Sequence, residues 1–260
     1  MSEYIFDAQQ TDEELLRLKL LEAAFDPDSL NVLNQVQVQK NASCLEIGPG
    51  AGSIFSWLGE KVGPKGRVLG IDKNTKYIRH FTEAPYEVVQ GNFAEMRFEN
   101  AFDLVHSRYV LIHNPEEAQM IPKIKASLKP GGCVVLEEPD FTSAMLLNHP
   151  SDIPQKNVNT AISQMFTNLG LNPTYGLRLP QNLFKHGFEI LDVQSKLHLA
   201  SGGSPVAKMM GKSAEALAEK YIATGKTCAS DIKQYIANAE DPEYWSVYYN
   251  TTAVIALRPK

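Results

Sequence analysis

The sequence has few cysteines, no excess of positive charge and no long apolar run. Its three cysteines are too few and too far apart for a disulfide framework or a metal cluster, which favours a reducing cytoplasm. The formal net charge of -5 gives no general attraction to a phosphate backbone. No apolar run reaches the roughly twenty residues of a membrane-spanning helix, and the N-terminus carries acids where a secretory signal is basic. We therefore expect a cytoplasmic protein with no metal and no membrane or nucleic-acid partner.

The most informative segment is a turn with three alternating glycines, Gly48, Gly50 and Gly52. It follows a short apolar strand over residues 43–47 and precedes a helix whose free N–H groups face the turn. A second strand then ends at Asp72, which completes a strand-helix-strand unit that delivers a carboxylate to a ribose. The pattern predicts a pocket for a nucleotide-containing ligand.

The spacing of the glycines helps to separate two ligand classes. The dinucleotide fingerprint has a third glycine three residues after the second, where this chain has Ser53. Glu46 adds an acid just before the turn, which would repel a pyrophosphate but not a zwitterionic or cationic ligand. A dinucleotide-binding NAD(P)-type oxidoreductase stays open, because Asp72 could also serve a dinucleotide ribose.

Apolar runs and turn residues predict seven strands that alternate with helices throughout. The strands are expected at 43–47, 67–72, 86–90, 102–107, 133–138, 188–199 and 245–257. The helices are expected at 12–24, 29–39, after Gly52, after Asn74, at 115–128, at 151–169, after Pro180, at 204–223 and at 231–238. We expect Phe25-Asp26-Pro27 to separate the first two helices and Pro122 to kink or split a later one. This alternation predicts a parallel sheet covered on both faces, with ligands at the carboxyl ends of its strands.

An acid followed by this glycine-rich turn resembles the first motif of the class I S-adenosylmethionine-dependent methyltransferases. Other segments resemble a bacterial group of small-molecule or uncharacterised members. The resemblance implies an α/β, Rossmann-like, doubly wound sheet of seven mostly parallel strands, with the last strand antiparallel between the fifth and sixth. We expect one domain over residues 1–260. Its parts are N-terminal helices (1–40), a cofactor-binding half (41–140), a part with cap helices (141–240) and a final strand (241–260).

The resemblance also implies roles for individual residues. Glu46 would face the methionine ammonium group, and Asp72 would accept both ribose hydroxyls unless it only caps the helix beyond Asn74. Asn92 stands where many members have an aspartate that accepts a hydrogen bond from the adenine amine. The expected cofactor-binding residues are Glu46, Gly48, Gly50, Gly52, Asp72, Lys73, Asn92, Phe93 and His106.

Phe93 and Arg108 each have two possible roles, and His106 has a possible role through its backbone. Phe93 either stacks on the adenine or belongs to the core. His106 would offer backbone groups near the methionine part of the cofactor. Arg108 either contacts the methionine carboxylate or forms a surface ion pair.

No catalytic base is evident from the sequence. By position the candidates are His106, His113, Glu138 and Asp140, although polar residues at strand ends are often structural. The motifs of enzymes that methylate nucleic-acid bases are missing after the fourth strand, which favours a small-molecule acceptor. A regulator that binds S-adenosylmethionine without turnover is a further alternative, because of Asn92 and the missing base. The sequence does not decide the acceptor, the methylated atom, or whether the protein is a monomer or a homodimer.

Overall fold

The computed structural model describes residues 11–114, 117–147, 149 and 152–260, and these residues form seven strands and nine α-helices. The strands are β1 (Ser43–Ile47), β2 (Arg67–Asp72), β3 (Tyr86–Gln90), β4 (Phe102–Arg108), β5 (Leu128–Asp140), β6 (Glu189–Ser201) and β7 (Trp245–Leu257). The helices are α1 (Thr11–Gln35), α2 (Ser53–Val62), α3 (Glu117–Ser127), α4 (Thr142–Leu147), α5 (Ile153–Asn168), α6 (Tyr175–Lys185), α7 (Pro205–Ala216), α8 (Ala218–Ile222) and α9 (Ala229–Glu240). None of the described helices is long and apolar enough to cross a membrane.

The strands form one sheet in the order β3-β2-β1-β4-β5-β7-β6. The pairs of β1 with β2, β1 with β4, β2 with β3 and β4 with β5 are parallel, and β7 is antiparallel. The predicted fold class, including the place of the last strand between the fifth and sixth, is confirmed. The carboxyl ends of β1, β2 and β4 therefore lie at one edge of the sheet.

Contacts divide the chain into two compact units. One comprises residues 26–138, 178–194 and 253–260 and includes β1 to β4 with α2 and α3. In its core, the α2 side chains Ile54, Phe55 and Leu58 are buried with β1 and β2, as their spacing predicts. The other unit comprises residues 1–25, 139–177 and 195–252 and includes α5, α7, α8 and α9. The prediction of one domain over residues 1–260 stays a prediction.

The prediction of two helices at the N-terminus is wrong. Helix α1 runs unbroken from Thr11 to Gln35 with Pro27 inside it. A proline inside a helix removes one hydrogen bond and strains the preceding turn. The side chains of Phe25, Val32 and Leu33 are buried on both sides of Pro27, and we attribute the continuity of the helix to this packing.

Helices were also expected after β2 and β3, and this expectation is wrong. Single 3₁₀ turns over Thr75–Tyr77 and Phe93–Glu95 stand there instead. The side-chain oxygens of Asn74 and Asn92 accept the N–H groups of Lys76 and Ala94 at the start of these turns. Asparagines bonded in this way stabilise a turn in place of a longer helix.

Other differences concern the limits of elements. Residues 128–132, where a tight turn precedes the strand predicted at 133–138, belong to β5. The pairing of β5 with β4 shifts its register between Phe102 and Leu104. The predicted helix over 204–223 is two helices, α7 and α8, with Leu217 between them. Pro122 lies inside α3 and does not split it, and Pro180 lies inside α6. The first two residues of the helix predicted at 115–128 lie outside the described residues, as does Ser151 of the helix predicted at 151–169.

Candidate functional site

The glycine turn between β1 and α2 adopts a backbone that side chains would disfavour. Gly48, Gly50 and Gly52 have φ angles of 71°, 58° and 96°. A Cβ atom on Gly48 would lie 2.3 Å from Cγ2 of Val110. Three of the five residues of the turn therefore carry no side chain, and the turn leads into the first N–H groups of α2, which lack a side-chain cap.

We expect Gly48→Ala to destabilise the protein more than Gly63→Ala does. Both glycines have a φ of 71°, but a Cβ atom on Gly63 would have no heavy atom within 4 Å. Gly63→Ala thus measures the left-handed backbone alone, at about 1–2 kcal/mol, and Gly48→Ala adds the clash with Val110. Urea unfolding of both variants checks this. Equal losses would show that Val110 moves aside freely.

Asp72 lies at the end of β2 and binds the glycine turn directly. Its Oδ2 accepts the Gly50 N–H at 3.2 Å, and its Oδ1 accepts the Asn74 N–H at 2.9 Å. Burial raises the pKa of this carboxyl, while backbone N–H bonds from Asn74, Gly50 and Lys73 act against the rise. These three bonds use three of the four lone pairs of the carboxylate, so it can accept one more hydrogen bond.

Glu46 on β1 faces His106 on β4, and the two residues are paired in the sheet register. His106 Nδ1 lies 3.5 Å from Glu46 Oε1, and His106 Nε2 lies 3.0 Å from Glu137 Oε1 on β5. Burial lowers the pKa of His106, but the hydrogen bonds and charges of the two glutamates outweigh burial and raise it to about 9. His106 is therefore a cation between two carboxylates at neutral pH. Glu46 Oε2 is buried and has no hydrogen-bond partner.

Arg108 extends this buried charge network from β4 to α1. Its Nη2 lies 2.9 Å from Asp26 Oδ1, and its Nη1 donates to Ser29 Oγ at 2.8 Å. Ser29 donates in turn to Glu137 Oε2 at 2.9 Å. The Arg108 side chain is 8% exposed and that of Asp26 is 23% exposed, so the pair is largely buried and is not a surface ion pair.

Asp26, Ser29 and Glu137 were missed by the sequence reasoning. Asp26 was assigned to the break between two helices, Ser29 to the start of the second helix, and Glu137 to the interior of an apolar strand. One signal was available, because His106 and Arg108 alternate on β4 and so share a face of the sheet. A carboxylate was to be expected opposite them.

Asn92, Phe93 and Lys73 lie near the ends of β2 and β3 with their own local partners. Asn92 Oδ1 accepts the Ala94 N–H at 3.1 Å, which leaves one lone pair for a ligand. The Phe93 side chain is buried and stacks parallel to Phe98 at 6.3 Å. The Lys73 side chain is exposed. Their roles toward adenosine stay predictions.

The base candidates Glu138 and Asp140 each have a structural set of partners. Glu138 accepts the backbone N–H groups of Val110, Leu111 and Ile112 at 2.8–3.1 Å. Asp140 accepts the N–H and hydroxyl groups of Thr142 and Ser143 at the start of α4.

The other two base candidates lie on or next to β4. His113 ends the 3₁₀ turn Leu111–His113, and its side chain is half-buried. His106 is held between Glu46 and Glu137 as described above. A catalytic role for any of the four candidates stays a prediction.

Comparison with known proteins decides the family. The family model of a methyltransferase domain matches residues 38–183, which is more than half of the chain and includes Glu46, the glycine turn and Asp72. The chain belongs to this methyltransferase family. S-adenosylmethionine is the cofactor that this membership indicates, and the resemblance found in the sequence is confirmed.

Curated relatives of this methyltransferase are similar over part of their length. A 37.1 kDa uncharacterised protein of a Streptomyces fradiae transposon is 28% identical over 73% of this chain and 56% of its own length. The demethylmenaquinone methyltransferase of Lactococcus lactis is 29% identical over 48% of this chain and 52% of its own length. The chain thus spans about half the length of these relatives.

Solved structures share the fold at low identity. Phosphoethanolamine N-methyltransferase 2 of Haemonchus contortus, in complex with phosphomonomethylethanolamine and S-adenosylhomocysteine, superposes with a TM-score of 0.64. It is 15% identical, and the match covers 100% of this chain and 60% of that one. The [4+2]-cyclase SpnF superposes with a TM-score of 0.55 at 17% identity, covering 89% of this chain and 80% of that one. This fold therefore carries more than one chemistry.

The residues of the methyltransferase site fit S-adenosylmethionine. The Glu46 oxygen that lacks a partner can accept a hydrogen bond from an ammonium group. The remaining lone pair of Asp72 can accept a ribose hydroxyl while its backbone bonds stay in place. The three glycines of the turn let a ligand approach their backbone closely. Each feature matches one part of the cofactor.

Proposed function

We propose that this protein transfers the methyl group of S-adenosylmethionine to a small, partly apolar acceptor. The observation that supports this most is the buried Glu46 carboxylate, which keeps one oxygen without a partner beside the glycine turn. His106 faces Glu46 Oε1 and Arg108 is held by Asp26, so Glu46 Oε2 is left for a cation from outside the network. A methionine ammonium group is such a cation.

In this proposal the chain supplies binding and orientation. When bound, S-adenosylmethionine supplies an electrophilic methyl group on a sulfonium. Glu46 holds the ammonium end, and Asp72 holds the ribose from the next strand, which fixes the molecule at two points. Orienting the reactants in line can lower the barrier by about 7–11 kcal/mol without a base.

The partners of Glu138 and Asp140 bear on the kind of acceptor. Both carboxylates already accept hydrogen bonds that hold local backbone, so neither is set up to take a proton. We therefore favour an acceptor atom that is nucleophilic without deprotonation. For an acceptor that does need a base, His113 stays the candidate.

Several observations support a small acceptor. The net charge of -5 gives no attraction to a nucleic-acid backbone. The similarity to demethylmenaquinone methyltransferases supports a small organic acceptor, although those matches cover less than half of this chain. Cys44 and Cys133 are free and buried, which fits a reducing cytoplasm as the proposed location.

Calorimetric titration with S-adenosylhomocysteine tests the donor half of the proposal. Binding by the folded protein supports it, and no binding contradicts it. A parallel titration with NADH addresses the oxidoreductase alternative, which tight NADH binding alone would favour. An acceptor screen with labelled methyl donor addresses the regulator alternative, because labelling of any acceptor at an enzymatic rate excludes it.

We expect Asp72→Ala to weaken S-adenosylhomocysteine binding by about 1–3 kcal/mol through the loss of charge-assisted hydrogen bonds to the ribose. Asp103→Ala is the control. Asp103 also accepts a backbone N–H, from Ser43 at 2.8 Å, but at the opposite end of the sheet. Titration of both variants should show weaker binding only for Asp72→Ala. An unchanged affinity would remove Asp72 from the site.

A further inference from the structure

Three residues of the unit that contains α5 and α9 have buried polar atoms with no hydrogen-bond partner. They are Asn159 on α5, Tyr235 on α9 and Tyr248 on β7. Both polar atoms of the Asn159 side chain and both phenol oxygens are in this state, and each residue is 1% exposed. Buried polar groups are normally paired, so four such atoms in one region call for a physical explanation.

Hydrogen bonds along α5 and β7 bring Asn159 next to Tyr248. The Tyr244 hydroxyl donates to Asp152, and Gln155 Nε2 donates to Ser246 Oγ at 2.7 Å. Helix and strand therefore advance in the same direction. Asn159 lies one helical turn after Gln155, and Tyr248 lies two strand residues after Ser246. Both steps cover a similar distance, which places Asn159 and Tyr248 opposite each other.

Helix α9 adds Tyr235 to the same place. Asn157 Nδ2 donates to Asp231 Oδ2 at 2.9 Å, which joins α5 to the first turn of α9. Tyr235 lies one turn later, and its ring meets the Tyr248 ring edge to face, with 6.5 Å between the centroids. The ring contact joins Tyr235 to Tyr248, and the alignment of α5 with β7 puts Asn159 on the side of α5 that faces Tyr248.

The carboxylates of the links between these elements, Asp152 and Asp231, already accept hydrogen bonds from Tyr244 and Asn157. Burial raises the pKa values of Tyr235 and Tyr248, and the groups that also act on Tyr235 are other tyrosines. Both phenols therefore stay neutral, and the Asn159 amide can donate and accept. Val158, Ile162 and Ile232 are buried on the same two helices. A charged ligand would find no free counter-ion among these residues. An uncharged ligand with an apolar body would find both hydrogen-bonding groups and apolar side chains.

We propose that Asn159, Tyr235 and Tyr248 form a binding site for an uncharged, partly apolar small molecule with hydroxyl or carbonyl oxygens. The four atoms are closed to solvent, so the molecule enters when α9 moves away from α5. Its oxygens then pair groups that the closed form leaves unpaired. The identification of this molecule as the methyl acceptor rests on the proposed function, but the site itself does not.

Removal of the hydroxyl groups tests whether they lack partners. An unpaired buried hydroxyl is unfavourable, so Tyr235→Phe and Tyr248→Phe should each raise the Tm of the free protein by about 2 °C. Tyr244→Phe is the matched control and should lower the Tm, because its hydroxyl has a partner. A lower Tm in both test variants would mean that the hydroxyls hold buried water or protein groups, which overturns the proposal.

Ligand-observed NMR with phenol and benzoate tests the site directly. Phenol should bind the native protein, and benzoate should not. Asn159→Leu should weaken phenol binding at least fivefold, and Tyr248→Phe serves if that variant does not fold. No phenol binding, equal binding of benzoate, or equal phenol binding by the variants overturns the proposal.

Titration of the same samples with S-adenosylhomocysteine separates the two proposals. Binding of S-adenosylhomocysteine without phenol overturns this site alone. Phenol binding that shows the expected variant effects, without binding of S-adenosylhomocysteine, supports the site and contradicts the proposed function.

Discussion

Arg108→Met is expected to lower the free energy of unfolding by about 3–5 kcal/mol. The substitution keeps an apolar stem of similar length but removes the cation between Asp26 and Glu137. Asp26 loses a partner at 2.9 Å, and Ser29 Oγ loses the guanidinium that donates to it. A buried carboxylate left without its counter-ion is the reason for the large effect.

Arg67→Met is the control for this prediction. Arg67 binds Glu87 at 2.7 Å, but its side chain is 39% exposed and that of Glu87 is 52% exposed. Exposed pairs contribute about 0–1 kcal/mol, since water screens both charges. Urea unfolding at one pH compares the two variants. Similar small losses would mean that the Arg108 network is hydrated and contributes as little as a surface pair.

The strands that hold the site could be predicted from the sequence. The limits of β1, β2 and β3 agree with the prediction, because each is an apolar run closed by glycine, proline or asparagine. The contact between Asp72 and the glycine turn follows from the same pattern. Neighbouring parallel strands end at one edge of a sheet, so residues at those ends meet.

Helix α1 shows where local rules fail. Pro27 predicts a break, yet the helix continues because Phe25, Val32 and Leu33 are buried on both sides of it. Such packing depends on parts of the chain that a local pattern does not include. The short turns after β2 and β3 have a local cause instead. There the side chain of an asparagine stabilises a 3₁₀ turn where a longer helix was expected.

The charge network behind Glu46 could not be predicted for a related reason. Ser29 and Glu137 are 108 residues apart, and their contact depends on the position of α1 against the sheet and on the register of β5. Glu46 itself was found because it precedes the glycines. The sequence therefore indicated Glu46 as a candidate for contact with the cofactor, which stays a prediction, but not how that carboxylate is held.

The pH dependence of stability is a consequence of the same network. The pKa of His106 is about 9 in the folded protein and about 6.5 in an unfolded chain. A raised pKa of a base means that its stabilising effect is complete below pH 6.5 and is lost as the pH rises through 9. This difference corresponds to about 3 kcal/mol, so the free energy of unfolding should fall over this range.

Urea unfolding between pH 6 and about 7.5 measures this slope before the cysteines of the unfolded chain ionise near pH 8.5. His106→Gln should remove most of the slope, because the cation that faces Glu46 and Glu137 is then absent at every pH. His80→Gln, at an exposed position, should keep the slope of the native protein. The slope is the test, because His106→Gln also lowers stability by leaving two carboxylates face to face. A native protein with a flat profile would mean that this site binds no extra proton on folding, so that His106 is neutral while both glutamates are ionised.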